Sequence, residues 1–216
     1  MFENLTIADI IVRVITLLIA FTVHELAHAW AALKLGDDTA ERMGRITLNP
    51  IAHLDPIGTI ALILVGFGWA KPVPVNPYNL RGNWRQSMAL VALAGPVSNI
   101  VMAVIAAIPF RLGLVELTSV FGGSTVIPSV AYFLYFFIYI NIILALFNMI
   151  PIPPLDGSKI LMGILPPELA ERYSVVEQYG PILLLLVIFL PLPINILGLL
   201  IGEPTQFLMR SLLGFG

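Results

Sequence analysis

Long apolar runs separated by polar loops dominate the chain. Four runs, at about residues 7–35, 87–110, 127–150 and 181–201, approach or exceed the length of about 20 apolar residues that crosses a bilayer core. Pro191 and Pro193 lie inside the fourth run and are expected to bend it. The pattern predicts an all-α polytopic membrane protein with about four transmembrane helices.

A shorter apolar stretch, residues 57–67, lies between the first two runs. It has about 11 residues, too few to cross a bilayer as a helix, and predicts a re-entrant or interfacial segment. A segment rich in glycine and proline follows it. Pro72 and Pro74 exclude a central β-strand there, and the alternation of valine with proline favours an extended edge segment. A plain cytoplasmic loop is the alternative.

Composition agrees with this class and excludes others. The chain has 216 residues, of which 58% are hydrophobic and 11% charged, and its mean hydropathy is +0.95. The net charge of −2 gives no basis for nucleic-acid binding. Cysteine is absent, so a zinc site in this chain must use histidine, aspartate or glutamate.

The first apolar run contains an HExxH pentapeptide formed by His24, Glu25 and His28. On an α-helix, residues four apart point in similar directions, so both histidines can bind one metal ion. Glu25 lies to the side, where it can accept a proton from water activated by the metal. Such a short motif also occurs by chance. Polar residues are costly inside a membrane, however, and these include two of the chain's three histidines, so we favour a metal site.

Basic residues predict the orientation. Eight of the 11 lie in the loops between the first and second spans and between the third and fourth. By the positive-inside rule these loops are cytoplasmic and both termini lie outside. Lys34 follows His28 by about 9 Å of helix, which places the metal within the membrane near the cytoplasmic face. The first nine residues contain no basic residue, so we do not expect a signal peptide.

Asp156 is the preferred third ligand. It follows a proline-rich break after the third span, and Gly157 frees the backbone beside it. The alternative is an N-cap for a helix starting near Ser158. His53 and Asp55 lie in a run of turn-forming residues that resembles a membrane-surface loop, where a surface role or a contact behind the ligands is favoured over ligation. The remaining acidic candidates are expected to form a solvated face: Glu168, Glu171 and Glu177.

Two asparagines occur within or at the ends of apolar spans. Asn148 lies eight residues before Asp156, so it could face the same cavity and donate a hydrogen bond to a developing oxyanion. Asn99 follows Gly95 and Pro96. Close helix packing is the preferred interpretation of the glycine and the proline, and Asn99 itself is expected to pack between helices or to support the ligands from behind. An interhelical hydrogen bond is the common role of asparagine in membrane helices.

Taken together, these motifs resemble the site-2 protease family of intramembrane zinc metalloproteases in its short bacterial and archaeal form. The resemblance covers nearly the whole chain. It rests on residues 21–28, 44–50, 53–58, 70–75, 94–96 with Asn99, and 148–157.

The resemblance implies one zinc ion per chain held by His24, His28 and Asp156, with Glu25 as the base and Asn148 polarising the scissile carbonyl. It implies a three-helix catalytic core. It also implies a membrane-associated β-hairpin that holds substrate as an added strand, which here gives the substrate-binding candidates Gly66, Phe67, Gly68, Val73 and Val75.

The expected protein is therefore a single membrane-embedded domain over residues 1–216, without a PDZ or CBS domain. We expect a zinc-dependent endopeptidase of the cytoplasmic membrane that cleaves transmembrane segments of other membrane proteins within the lipid bilayer, in regulated intramembrane proteolysis. A non-catalytic metal-binding or chaperone-like member of the same fold is the alternative. The intact Glu25 argues against it, because a metal binder does not need a positioned base.

Overall fold

The computed structural model describes residues 6–65, 68–120, 126–189 and 197–214. α-Helices account for most of these residues, and no β-strand occurs among them. The helices are α1 (Ile7–Lys34), α2 (Thr39–Arg42), α3 (Pro56–Val65), α4 (Trp84–Arg111), α5 (Val130–Asn148), α6 (Asp156–Ile164), α7 (Pro167–Glu177), α8 (Gly180–Phe189) and α9 (Glu203–Leu213).

The first span begins and ends where its sequence predicts. Thr6 caps α1 through its hydroxyl, which accepts from the Asp9 amide at 3.1 Å, while the Asp9 carboxylate accepts from the Thr6 amide at 2.9 Å. At the other end, Gly36 adopts a φ of 109°, which favours glycine and turns the chain away from the helix. The 28 residues between these signals extend about 42 Å.

Three of the predicted spans are confirmed. Helices α1, α4 and α5 are long and apolar enough to cross a membrane. Helices α7 and α8 together meet the same criterion but are bent by 69° at their junction. The predicted fourth span starts within α8, whereas the bend predicted at Pro191 and Pro193 lies outside the described residues.

Polar contacts show which helix ends lie together. The Tyr132 hydroxyl at the start of α5 donates to the Asp9 carboxylate at the start of α1. The Arg111 guanidinium at the end of α4 donates from Nε to the Leu212 carbonyl in α9 at 2.7 Å. Because α5 runs towards the opposite end of the bundle, the chain must traverse the bundle again between α5 and the end of α9. This agrees with the predicted fourth crossing.

Each long helix has a buried face and an apolar outer face. On α1 the buried positions recur every fourth residue, as Ala8, Val12, Thr16, Ala20, His24 and His28. The small side chains at the first four positions let α4 and α5 approach α1 closely, and the two histidines then face the interior. Large aliphatic side chains cover the outer faces, as expected for contact with lipid; examples are Ile10, Val14, Val101 and Ile105.

The shorter apolar stretch forms α3, a helix of 10 residues. The chain after it approaches the chain before it at a single antiparallel bridge between Leu54 and Ala70. Gly58 packs directly on Trp69, and a Cβ at this glycine would overlap the tryptophan backbone. The re-entrant segment and the β-hairpin remain predictions, since the hairpin includes Gly66 and Phe67, which lie outside the described residues.

Candidate active site

His24, His28 and Asp156 come together in the buried interior between α1, α4 and α6. The two histidine Nε2 atoms are 3.0 Å apart. Asp156 Oδ2 lies 3.1 Å from His24 Nε2 and 3.2 Å from His28 Nε2. All three residues are at least nine-tenths buried, and the three ligand atoms form one compact triangle.

This triangle fits one zinc ion. Tetrahedral zinc holds its ligand atoms at about 2.0–2.2 Å, so neighbouring ligand atoms lie about 3.3 Å apart. The observed separations of 3.0–3.2 Å are close to that value. Two imidazoles and one carboxylate also form the kind of ligand set that catalytic zinc sites use, with a fourth position left for water or substrate.

The proline-rich break after α5 places Asp156 beside the two histidines. Leu155 is the N-cap residue of α6 and Asp156 is the first residue of that helix, so the N-cap alternative for Asp156 is wrong. Gly157 lies against the end of α5, where a Cβ would come within 2.5 Å of the Ile150 carbonyl oxygen. Only glycine permits this approach, because any larger residue would push the start of α6 away from the histidines.

Gly95 brings the α4 backbone against the metal site. A Cβ built on this residue would lie 2.5 Å from His24 Nε2 and would also overlap His28 Nε2. The sequence predicts close helix packing at this position. In the structure the α4 backbone at Gly95, which has no side chain, lies against the Nε2 atoms of His24 and His28.

The second nitrogen of each histidine ring also has a partner. His24 Nδ1 lies 2.5 Å from Asn99 Oδ1, and His28 Nδ1 lies 2.7 Å from the Val91 carbonyl oxygen. Such contacts orient a metal-binding ring and keep a proton on the nitrogen that faces away from the metal. Asn99, predicted to pack between helices or to support the ligands, therefore contacts a candidate ligand directly.

Sequence reasoning missed the next residue, Asn141. It is fully buried on α5, and its Oδ1 accepts from Asn99 Nδ2 at 2.8 Å. A signal was available, because Asn141 lies seven residues before Asn148, on the same face of an otherwise apolar helix.

Glu25 contacts the extended segment that follows α3. Its Oε2 accepts from the Val73 amide at 3.0 Å. Because Pro72 and Pro74 have no N–H group, Val73 offers an isolated donor on this stretch. Glu25, the predicted base, and the predicted substrate-binding segment are therefore adjacent.

Arg45 holds the same segment from the other side and was also missed from the sequence. Its guanidinium donates to the carbonyl oxygens of Lys71 at 2.5 Å and Pro72 at 3.1 Å. Only 4% of Arg45 is exposed, although arginine is rarely buried to this extent. The sequence did contain a signal for this residue, because Arg45 lies in the motif at residues 44–50 on which the family resemblance rests.

Asp37 anchors the far end of this segment. Its Oδ2 accepts from the Asn76 amide at 2.7 Å, and its Oδ1 accepts from Asn79 Nδ2 at 2.9 Å and from the Thr39 hydroxyl. Burial would raise the pKa of Asp37, but these hydrogen bonds hold it below its ordinary value. The segment is thus fixed at both ends to the residues that follow α1.

Several predicted residues make contacts outside the triangle. Asn148 Nδ2 donates to the Leu144 carbonyl of its own helix at 3.0 Å. His53 is fully buried, which excludes the surface role among its predicted alternatives, and its Nε2 lies 2.9 Å from the Thr47 carbonyl oxygen. Val75 packs against a small apolar cluster beside α1 and α4. The solvated acidic face is exposed as predicted, at Glu168, Glu171 and Glu177.

The chain is similar in sequence to known proteins. The model of peptidase family M50 matches residues 111–188. YwhC of Bacillus subtilis, named as a proposed zinc metalloprotease, is 44% identical over 179 residues, which cover 83% of this chain and 80% of YwhC. The chain belongs to peptidase family M50, the site-2 protease family.

More distant relatives carry the same kind of name. Rip2 of Mycolicibacterium smegmatis is 28% identical over 81% of this chain and 65% of its own length. MJ0611 of Methanocaldococcus jannaschii is 29% identical over 74% of each chain. Both are named as proposed zinc metalloproteases. No solved structure matches the chain. Membership of this family confirms the predicted resemblance and, with the ligand triangle, the zinc cofactor.

Proposed function

We propose that this protein is a zinc-dependent intramembrane endopeptidase that cleaves a transmembrane segment of another membrane protein. The observation that carries the proposal is the buried triangle of His24, His28 and Asp156, with Glu25 next to His24 on a membrane-length helix. We assign the three triangle residues as the zinc ligands and Glu25 as the base.

In this assignment the chain's own residues move the proton and position the peptide. Zinc supplies Lewis acidity, which activates water and polarises a carbonyl group. Glu25 accepts the proton from water and passes it to the leaving amine, for which Oε1 is the available oxygen while Oε2 binds the Val73 amide. We assign Asn148 as a donor to the developing oxyanion; its amide nitrogen carries two hydrogens, and the Leu144 carbonyl accepts one of them.

The substrate is expected to bind in extended form. An intact helix buries its peptide groups, whereas an extended segment exposes the scissile carbonyl and offers its backbone to a neighbouring edge. The candidate edge is the segment from Gly68 to Val75, together with Gly66 and Phe67. Within the described part of this edge, Val73 contacts Glu25, and Arg45 binds the carbonyl oxygens of Lys71 and Pro72.

We place the protein in the cytoplasmic membrane with the site nearer the cytoplasmic face. His24 is ten residues, about 15 Å of helix, from Lys34 at one end of α1 and seventeen residues, about 25 Å, from Ile7 at the other. The Lys34 end leads into the loop that is rich in basic residues.

The test compares new protein termini in membranes of cells that produce the wild type or Glu25→Gln. The wild type is expected to generate termini inside transmembrane segments, and Glu25→Gln is expected to lower their yield by about 10²-fold or more, since a general base contributes about 10²–10⁴-fold. Zinc content should be the same in both, because Glu25 lies outside the ligand triangle.

Glu168→Gln on α7 is the matched control. It makes the same chemical change at an exposed glutamate and should leave the termini unchanged. If Glu25→Gln produces the same intramembrane termini as the wild type, the protease assignment fails. A non-catalytic metal binder would show this result while still retaining zinc.

A further inference from the structure

A chain of three buried polar side chains links α1, α4 and α5 behind the metal site. His24 Nδ1 contacts Asn99 Oδ1 at 2.5 Å, Asn99 Nδ2 donates to Asn141 Oδ1 at 2.8 Å, and Asn141 Nδ2 donates to the Phe137 carbonyl at 2.9 Å. Asn99 and Asn141 are both completely buried. The two contacts of Asn141 lie within the usual range of an N–H···O hydrogen bond, and the His24–Asn99 contact is shorter.

The Phe137 carbonyl fixes the orientation of both asparagine side chains in this series of hydrogen bonds. The Phe137 carbonyl can only accept, so Asn141 must turn its amide nitrogen towards it and its oxygen towards Asn99. Asn99 must then donate to Asn141 and present its own oxygen to His24. An oxygen at this position requires a proton on His24 Nδ1, which leaves the lone pair on Nε2, the atom that faces Asp156.

We propose that Asn141 is a positioning residue for the zinc site: by orienting the Asn99 amide, it holds His24 in the tautomer that can bind zinc through Nε2. Without Asn141, the Asn99 side chain is free to rotate and present its NH₂ group to Nδ1. That orientation favours a proton on Nε2, and a protonated nitrogen cannot bind a metal ion.

The second histidine provides an internal comparison. His28 Nδ1 donates directly to the Val91 carbonyl at 2.7 Å, and a backbone carbonyl cannot change its role. His28 therefore needs no side chain to select its tautomer. Of the two histidines, His24 is the one whose tautomer depends on side chains, those of Asn99 and Asn141, which lie 75 and 117 positions away along the chain.

Asn141→Leu tests the proposal in the purified full-length protein. The readouts are the zinc dissociation constant from chelator competition and the rise in Tm that zinc produces. The variant is expected to bind zinc about 10-fold or more weakly, within the 10–100-fold range for loss of an outer partner of a metal ligand. The zinc-dependent rise in Tm should shrink accordingly, because a ligand stabilises the fold in proportion to its affinity.

Asn141→Asp is the rescue variant. Its carboxyl oxygen still accepts from Asn99, and in an apolar interior the protonated form also donates to the Phe137 carbonyl. We expect zinc affinity within about threefold of the wild type. Thr16→Val is the control, since it removes a buried hydroxyl from α1 that has no hydrogen-bond partner. It should leave the zinc affinity unchanged.

The inference rests on the proposed ligation by His24. The His24→Ala variant distinguishes a failure of this ligation from a failure of the positioning role. If His24→Ala loses zinc while Asn141→Leu binds it as the wild type does, the positioning role is refuted and the ligation stands. If Asn141→Asp is as weak as Asn141→Leu, an acceptor oxygen at this position does not restore zinc binding, and the positioning role is also refuted. If His24→Ala keeps wild-type zinc affinity, the ligation itself fails, and the positioning role falls with it.

Discussion

Replacing Gly95 with alanine adds one methyl group at the metal site. That methyl carbon would lie 2.5 Å from His24 Nε2 and would overlap His28 Nε2, whereas an ordinary contact starts at 3.4 Å. Either α4 or the histidine rings must therefore move by about 1 Å. Zinc–ligand distances tolerate only about 0.2 Å, so a movement of the rings takes their ligand atoms out of reach of one ion. A movement of α4 instead displaces Asn99 and the Val91 carbonyl, which orient the two rings.

We expect Gly95→Ala to weaken zinc binding by more than about 100-fold, beyond the range for loss of an outer partner. Proteolysis should fall with it. The helix itself is not weakened, because alanine is favoured over glycine in helices by about 1 kcal/mol. The assay is chelator competition on the detergent-purified protein, with the Tm of the zinc-free form as the check on folding.

Gly202→Ala is the matched control. A Cβ at Gly202 meets no atom within 4 Å, and its φ of −62° suits alanine. It should bind zinc as the wild type does. Zinc affinity within threefold of the wild type in a folded Gly95→Ala variant would refute the steric argument, and with it the placement of α4 against the ligand nitrogens.

Further changes probe other parts of the site. Asp156→Ala should lower zinc affinity by at least about 100-fold in the same chelator assay, because it removes one of three ligands; unchanged affinity would contradict the ligand set. Arg45→Lys should slow proteolysis about tenfold or more at unchanged zinc content, because a lysine cannot hold both carbonyls in the fork of a guanidinium, whereas Arg42→Lys at an exposed ion pair should have no effect. The pKa of Asp37 in the folded protein is below its ordinary value of 3.8, so the ionised carboxylate stabilises the fold at pH values above 3.8. This contribution is lost as the pH falls through the pKa of the folded state. Acid unfolding followed by circular dichroism should therefore show a smaller loss of stability in Asp37→Asn than in the wild type, and equal losses would refute the role of this carboxylate.

Much of the site follows from local pattern. The spacing of His24 and His28 places both on one side of any helix, and the apolar run around them makes that helix a membrane span. Asp156 is identifiable because prolines interrupt the chain beside an isolated carboxylate. The bounds of α1 follow from the Thr6 cap and from Gly36. These features depend on residues within a few positions of one another.

The residues that support the site could not be predicted from local sequence pattern. Arg45 reads as one more basic residue of a cytoplasmic loop, yet it is buried and holds the segment beside Glu25. His53 lies in a run of turn-forming residues that favoured the membrane surface or a contact behind the ligands, and it is fully buried. The contacts of Arg45 come from residues 26 and 27 positions further along the chain, which local composition does not encode.

By itself, the sequence determined the membrane class, the three long spans and the chemistry of the ligands, since hydropathy, helix period and side-chain type act over short range. Only the tertiary structure decided which face of each span meets another. It turned Asn99 and Asn141 towards His24, and set the bare backbone of Gly95 against the ligand nitrogens. The physical reason is that an apolar helix can rotate about its axis with little change in lipid contact, so its orientation is selected by packing between helices distant in sequence.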